Sequence, residues 1–370
     1  MTADSPYRVM VVDDSAVIRG LLTRSLESDP AVSVVASIAN GEQAIKAVTR
    51  YDVEVVVLDI EMPVMDGLTA LPKIIAAKRG VQVIMASTLT RKNAEISLRA
   101  LQAGAADYVT KPTSGGDLNS ADEFKRELTQ KVKGLGAAAR GSTTPASRAT
   151  ATTVAPGRAS APPRTATKFT LRKAPIMPPA AIAIGSSTGG PQALLKVLGD
   201  LGGDLNRPIY ITQHMPATFT TLLAEHITRS TSVTCGEAQD GDTVSADRAY
   251  IAPGDYHMEV VAGDSAPVIR LNQNAPENFC RPAVDPMLRS LARIYGSRLL
   301  VVILTGMGAD GAKGSKDVTE AGGTVIAQDE ATSVVWGMPG AVATAGLCSE
   351  VMPIDDIAPY IRKLLMRSAA

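Results

Sequence analysis

The sequence predicts an α/β protein of two doubly wound domains separated by a spacer, and three observations carry that prediction. Residues 6–133 alternate short β-branched runs with amphipathic stretches, residues 134–175 lose the alternation, and from Ala180 it resumes. A chain of 370 residues is long enough for both halves to bury a normal core. Its apolar share of 45% against 20% charged is that of a soluble globular protein.

In the first segment RVMVVDD, VSVVASI, VEVVVLDI, VQVIMAS and DYVTK read as strands bounded by polar or glycine residues. Between them lie stretches such as SAVIRGLLTRSLES and NAEISLRALQAG, whose apolar spacing near 3.6 predicts helices. Strand–helix alternation of this kind implies a parallel sheet covered on both faces. The spacer, 134–175, holds seven basic residues, five prolines and no acid, and is expected to be a flexible, solvated linker. In the third segment, 176–368, AAIAIG, RPIYITQH, RLLVVILTG and GGTVIAQD read as strands, with helix-like PQALLKVLGDL after the first and GAKGSKDVTEAG after the third.

Charge and cysteine usage narrow the function classes. Lys and Arg number 37 against 37 for Asp and Glu, so no overall basic field argues for nucleic acid. The start, MTADSPYRVMVVDD, does not read as a signal peptide, and no apolar run approaches the roughly 18 residues of a membrane span. Cys235, Cys280 and Cys348 are odd in number and widely spaced, fitting neither a disulfide framework nor a zinc site. A cytoplasmic protein is expected.

Ligands of a parallel sheet gather beyond the carboxyl ends of its strands. In the first segment those ends carry Asp13 and Asp14, Asp59, Ser87 and Lys111. Converging carboxylates repel one another, and a hard divalent cation, Mg²⁺ foremost, reverses that cost. Lys111 and Ser87 are placed to hold added anionic oxygens, so the set suits phosphoryl transfer to Asp59. Taken singly, Asp13 or Asp14 would be no more than a helix cap; all five positions together argue for a site. In VVDDS, LDIEMPVMDG, MAST and VTKP this segment resembles a response-regulator receiver domain, with a flavodoxin-like (βα)5 fold. The resemblance implies Asp59 as phospho-acceptor, Asp13, Asp14 and Asp59 around the metal, and Ser87 and Lys111 as phosphoryl contacts. It also makes Tyr108 an aromatic that reports the switch state.

The third segment opens on IAIGSSTGG, residues 182–190. The run lacks the Gly-Lys-Ser/Thr ending of a P-loop. A better phosphate-binding pattern is TGMGADG, where Gly306, Gly308 and Gly311 form G-x-G-x-x-G and Asp329 ends the next strand. That alternative, a nicotinamide-dependent oxidoreductase, is weakened by Asp310 inside the turn and by how little chain remains for further βαβ units. The other reading of IGSSTGG is G-x-S-x-G at a strand–helix junction, which lifts a nucleophilic Ser187 above the sheet and aims the Thr188 N–H at an oxyanion. His214 ends RPIYITQH at the same edge, and Asp310 follows LLVVILTGMGA, so three strand ends supply nucleophile, base and orienter. His226, in TLLAEHITR, reads as helix surface, and His257, in APGDYHM, as a weaker candidate. The order Ser, His, Asp differs from that of the α/β-hydrolases.

IGSSTGGP, ITQHMP, RPAVD and LTGMGADG resemble, in order, four blocks of the CheB family of chemotaxis protein-glutamate methylesterases, from about Ile182 to the end. The resemblance implies a mainly parallel α/β esterase domain with Ser187, His214 and Asp310 as its triad. One departure is Ser186, where alanine is common in the family. Met307 is expected to lend backbone to the oxyanion site. Arg281 and Asp285 of RPAVD are expected to line the substrate groove or to form a structural ion pair with each other. The implied activity is removal of methyl groups from receptor glutamate γ-methyl esters, with deamidation of glutamine by the same route. The implied partners are chemoreceptor helices as substrate and a histidine kinase as phosphodonor. No cofactor is expected for the esterase chemistry. A receiver-linked binding module without catalysis is the second alternative.

Overall fold

The computed structural model describes residues 5–88, 90–111, 118–142, 170–173 and 177–366. The first domain runs β1 (Tyr7–Val12), α1 (Ala16–Glu27), β2 (Val32–Ile38), α2 (Gly41–Arg50), β3 (Val55–Asp59), α3 (Gly67–Ala77), β4 (Gln82–Ser87), α4 (Arg91–Gln102), β5 (Asp107–Thr110) and α5 (Leu118–Ser142). Its strands form one parallel sheet in the order β2-β1-β3-β4-β5. The central strand β3, VVVLD, is buried along its whole length, as a strand covered by helices on both faces must be. Ser15, Asn40, Asp66 and Thr90 start α1 to α4 by accepting the backbone N–H three residues on.

Helix α5 corrects the expected linker boundary. It continues through Ser142, so residues 134–142 are helix rather than spacer. Val132, Leu135 and Ala139 form a buried stripe along it, and Arg140 pairs with the buried Glu54 just before β3, Nε to Oε1 at 2.6 Å. Small residues hid this face, because glycine and alanine add little to an apolar pattern. Residues 143–169 and 174–175 of the expected linker lie outside the described residues.

The second domain contains β6 (Ala181–Ser186), α6 (Gly190–Leu201), β7 (Ile209–Gln213), α7 (Ala217–Ser230), β8 (Cys235–Glu237), β9 (Ala249–Ile251), β10 (His257–Val261), β11 (Val268–Asn272), α8 (Val284–Tyr295), β12 (Leu299–Ile303), α9 (Ala312–Glu320), β13 (Thr324–Gln328), α10 (Met338–Thr344), β14 (Glu350–Met352) and α11 (Ile354–Leu365). Seven strands make a parallel sheet, β14-β13-β12-β6-β7-β9-β8, while β10 and β11 pair as an antiparallel hairpin. Strands β12, β6 and β7 are neighbours, so the loops at their carboxyl ends converge. Among the described residues no helix is long and apolar enough to cross a membrane.

The two domains pack directly on each other. Tyr108 of β5 stacks on Phe219 of α7 with ring centroids 4.2 Å apart and planes at 6°. Gln192 of α6 donates to the Leu101 and Ala105 carbonyls at 3.0 and 2.8 Å. One buried apolar cluster therefore continues from the first sheet into the second.

Candidate active site

Strand β6 ends in two serines that point to different places. Ser186 is fully buried and donates its hydroxyl to Gln213 Oε1 at 2.6 Å. Ser187 is half-buried and lines a cavity of about 1500 Å³ together with His214, Met307 and Asp310. Gly189, with φ of 75°, turns the chain into α6 in the left-handed region that favours glycine.

His214 follows β7, and its Nε2 lies 2.7 Å from Asp310 Oδ2. Its other nitrogen, Nδ1, is 3.4 Å from Cys280 Sγ. Burial disfavours a charged imidazolium here, but Cys280 and Asp310 outweigh it and push His214 well above the ordinary histidine value.

The Asp310 carboxylate is held from several sides. Oδ2 also accepts the Val284 N–H at 2.6 Å, and Oδ1 accepts the Asn278 amide at 2.9 Å and the Gly311 N–H at 2.9 Å. Burial raises its pKa, yet the His214 bond and the backbone donors win and leave it below the usual carboxylate range. Neighbouring Asp285 goes the other way: burial, then the Asp310 charge, raise it.

Arg281 does not pair with Asp285; its Nη1 donates to the Gln273 and Asn274 carbonyls, both at 3.1 Å, and it borders the cavity. Asp285 instead accepts Gly314 N–H at 2.7 Å and the Asn278 amide at 3.0 Å. His257 is buried, with Nδ1 accepting the Ala283 N–H at 3.2 Å and Nε2 facing the Ala275 carbonyl at 3.1 Å, so it fastens the loop between β11 and α8. His226 contacts Gln102 of α4 and so belongs to the domain interface, not to the cavity.

The dinucleotide alternative has no support. Gly306 hydrogen-bonds Val335, Gly337 and Met338, and a Cβ on it would lie 2.9 Å from the Ser187 nitrogen. The loop that was to cradle pyrophosphate is packed against Ser187, and its acid is bonded to His214.

In the first domain one oxygen from each of Asp13, Asp14 and Asp59 lies within 4.8 Å of the others. Lys111 Nζ reaches Asp13 Oδ2 at 2.6 Å and Asp59 Oδ1 at 2.5 Å. Burial, opposed by Lys111 and assisted by the Asp13 charge, raises the Asp59 pKa. Ser87 is buried at the end of β4, 3.3 Å from the Ser97 hydroxyl. Three oxygen donors with one exposed member fit a hard divalent cation.

Sequence reasoning did not single out Cys280, Asn278 or Asp107. Asp107 is the most consequential: its Oδ2 accepts the Thr188 hydroxyl at 2.5 Å across the domain interface. Thr188 thus spends its side chain on the first domain and has only its backbone to offer an oxyanion. The α5 residues Arg126 and Lys131 border the same cavity as Ser187.

The sequence matches two family models, the response regulator receiver domain over residues 9–121 and the CheB methylesterase over residues 182–361. A protein of Rhodospirillum centenum named protein-glutamate methylesterase/protein-glutamine glutaminase of group 2 operon is 60% identical, over 99% of this chain and 95% of its own. One of Azospirillum brasilense, named protein-glutamate methylesterase/protein-glutamine glutaminase, is 58% identical over 98% and 94%. Among solved structures, the CheB methylesterase catalytic domain of Thermotoga maritima is 41% identical, covering 50% of this chain and 98% of its own with a TM-score of 0.49. The response regulator domain of Thermotoga maritima CheB is 37% identical, covering 35% and 94% with a TM-score of 0.32.

Proposed function

The chain belongs to the protein-glutamate methylesterase/protein-glutamine glutaminase family, with a receiver domain ahead of its esterase domain, and from that premise we propose that it demethylates glutamate γ-methyl esters of chemoreceptor helices in the cytoplasm and deamidates receptor glutamines. The observation that carries the assignment is the His214–Asp310 bond of 2.7 Å in the cavity that Ser187 lines.

Asp310 holds Nε2, so Nδ1 of His214 is the nitrogen left to take the Ser187 proton. Ser187 Oγ attacks the ester carbonyl, and the negative oxygen faces the Thr188 N–H and the backbone around Met307. The imidazolium then gives its proton to the departing methoxy oxygen, methanol leaves, and water frees the glutamate by the reverse sequence. Arg281, at the cavity edge, borders the path of the receptor helix. An amide follows the same acyl route with ammonia as the leaving group.

Asp59 is the phospho-acceptor, supplied by a histidine kinase. Asp13, Asp14 and Asp59 would hold Mg²⁺, whose charge would offset that of the phosphoryl group, while Lys111 and Ser87 contact the phosphoryl oxygens. The packed arrangement of the two domains is the restrained state, since α5 borders the cavity a receptor helix must enter. Phosphorylation shifts the balance toward the undocked state. In domain terms we assign the receiver to 6–142, the linker to 143–175 and the esterase to 176–368.

The test is methanol release from methylated receptor membranes, with and without a small-molecule phosphodonor. Release that rises with phosphodonor in the wild type but not in Asp59→Ala is expected. No release under either condition would remove the esterase assignment, and an intact response in Asp59→Ala would remove the regulatory one.

A further inference from the structure

Ser187 is not the only nucleophile in the cavity that His214 lines. Cys280 Sγ lies 3.4 Å from His214 Nδ1, and Nε2 of the same ring is bonded to Asp310 at 2.7 Å. Sulfur, imidazole and carboxylate are therefore linked in series through the two ring nitrogens, an arrangement suited to drawing the proton off a thiol. The loop that carries Cys280 is held with unusual firmness. Glu277 and Cys280 exchange backbone hydrogen bonds of 3.1 and 2.9 Å, His257 fastens Ala275 and Ala283, and Arg281 fastens Gln273 and Asn274. At its tip Asn278 and Phe279 both have positive φ, 52° and 63°, a strained pair that persists only where the surroundings over-determine it. The Asn278 amide ties that tip to Asp310 and Asp285. Strain and fastening together deliver the sulfur to the imidazole.

We infer that Cys280 is an oxidation site for hydroperoxides, and that its oxidation reversibly silences the esterase by occupying His214 Nδ1. The thiol proton passes to Nδ1, and the sulfur attacks one peroxide oxygen. The O–O bond breaks, and the departing oxygen leaves as water or alcohol after taking the imidazolium proton. Cys280 is oxidised by two electrons to the sulfenic acid, and the peroxide is reduced. The added oxygen stands against the nitrogen that would take the Ser187 proton; an external thiol reverses the step through a mixed disulfide. The silencing arm rests on the esterase reading, whereas the reactivity of the sulfur does not.

The chain contains its own controls. Cys235 and Cys348 are buried, and burial pushes both thiols up to about 12. Full-length protein at pH 7 is treated with iodoacetamide, and the three cysteines are followed by peptide mass spectrometry. Cys280 is expected to react at least about tenfold faster than the other two, and His214→Gln to slow it about tenfold. Cys235 and Cys348 stay unlabelled in that variant if it is folded. In a second arm, hydrogen peroxide with dimedone trapping is followed by methanol release, each variant compared with its own untreated sample. Wild-type release should fall in proportion to the trapped fraction and return with dithiothreitol when dimedone is omitted, and Cys280→Ala should be insensitive. Equal labelling of all three thiols, or an unchanged rate in folded His214→Gln, overturns the reactive thiol. Trapped Cys280 with undiminished release overturns the silencing. Untreated protein that releases no methanol indicts the esterase reading alone, because the labelling arm still decides the thiol.

Discussion

The contact best placed to hold the esterase in check is the hydrogen bond from the Thr188 hydroxyl to Asp107 Oδ2, 2.5 Å long, between residues that are 2% and 6% exposed. Thr188→Val removes the hydroxyl and keeps the branched shape. Asp107 keeps the Tyr108 N–H at 2.8 Å and Lys131 Nζ at 3.3 Å, both on Oδ1, while its Oδ2 loses the Thr188 donor. A buried hydrogen bond to a charged acceptor contributes about 1.5–3 kcal/mol. The bond exists only while the domains are docked, so its whole loss falls on the docking equilibrium. At 1.4 kcal/mol per decade that is a shift of about 10- to 100-fold toward the undocked state. Methanol release by unphosphorylated Thr188→Val should rise by that factor, up to the ceiling set by the phosphorylated protein. The ratio of phosphorylated to unphosphorylated rates should collapse accordingly. A ratio equal to that of the wild type would refute the reasoning, whatever happens to the absolute rates.

Three further outcomes are expected. Ser187→Ala should lower methanol release by roughly 10⁴-fold or more, whereas Ser186→Ala should cost stability, by leaving the buried Gln213 Oε1 unpaired, and retain activity; parallel release and thermal-melt measurements separate the two serines. The base must be unprotonated and Asp310 with Cys280 raises its pKa, so kcat/KM should climb with pH along a limb lying above the ordinary histidine value near 6.5, and a pH–rate profile reads the midpoint. The linkage sign agrees: a histidine raised by folding contributes stability that is fully present below about 6.5 and is lost as pH rises through its folded value. Mg²⁺ should stabilise the receiver by about 2.7 kcal/mol at a hundred times its dissociation constant, an effect that Asp13→Asn weakens and a melting series against EDTA detects.

What the sequence disclosed follows from topology. Parallel strands gather their carboxyl ends by construction, so His214 and Asp310, 96 residues apart, could be placed together from strand pattern alone. The same rule placed Asp13, Asp59 and Lys111. Cys280 is nearer to His214 in sequence, 66 residues, yet stayed hidden. It sits in a loop whose path is set by Asn278, His257 and Arg281, and no periodicity encodes such a path. The continuation of α5 was obscured for a different reason: its buried face is made of Leu135 and Ala139 among glycines, a stripe too thin to stand out. Thr188 and Asp107 looked unremarkable because their meaning arises only when two folded domains meet.

Two of the buried contacts of that meeting lie on one strand. β5 spans four residues, Asp107 to Thr110, and Lys111 follows directly, bonded through its N–H to the Ser87 carbonyl at 2.7 Å and through Nζ to Asp13 and Asp59. At its other end Asp107 accepts Thr188, and Tyr108 stacks on Phe219. Surface pairs such as Arg91–Glu225, 3.6 Å apart with side chains 69% and 45% exposed, add little. The buried Thr188 bond, the Tyr108 stack and the two Gln192 bonds come to about 3–7 kcal/mol together. Moving a two-state equilibrium from 1:99 to 99:1 takes about 5.5 kcal/mol. The buried contacts around β5 thus match the size of a switch, and they adjoin Lys111, which is bonded to the proposed phospho-acceptor. A phosphoryl group that draws Lys111 toward itself acts on the strand whose far end holds the residue next to Ser187.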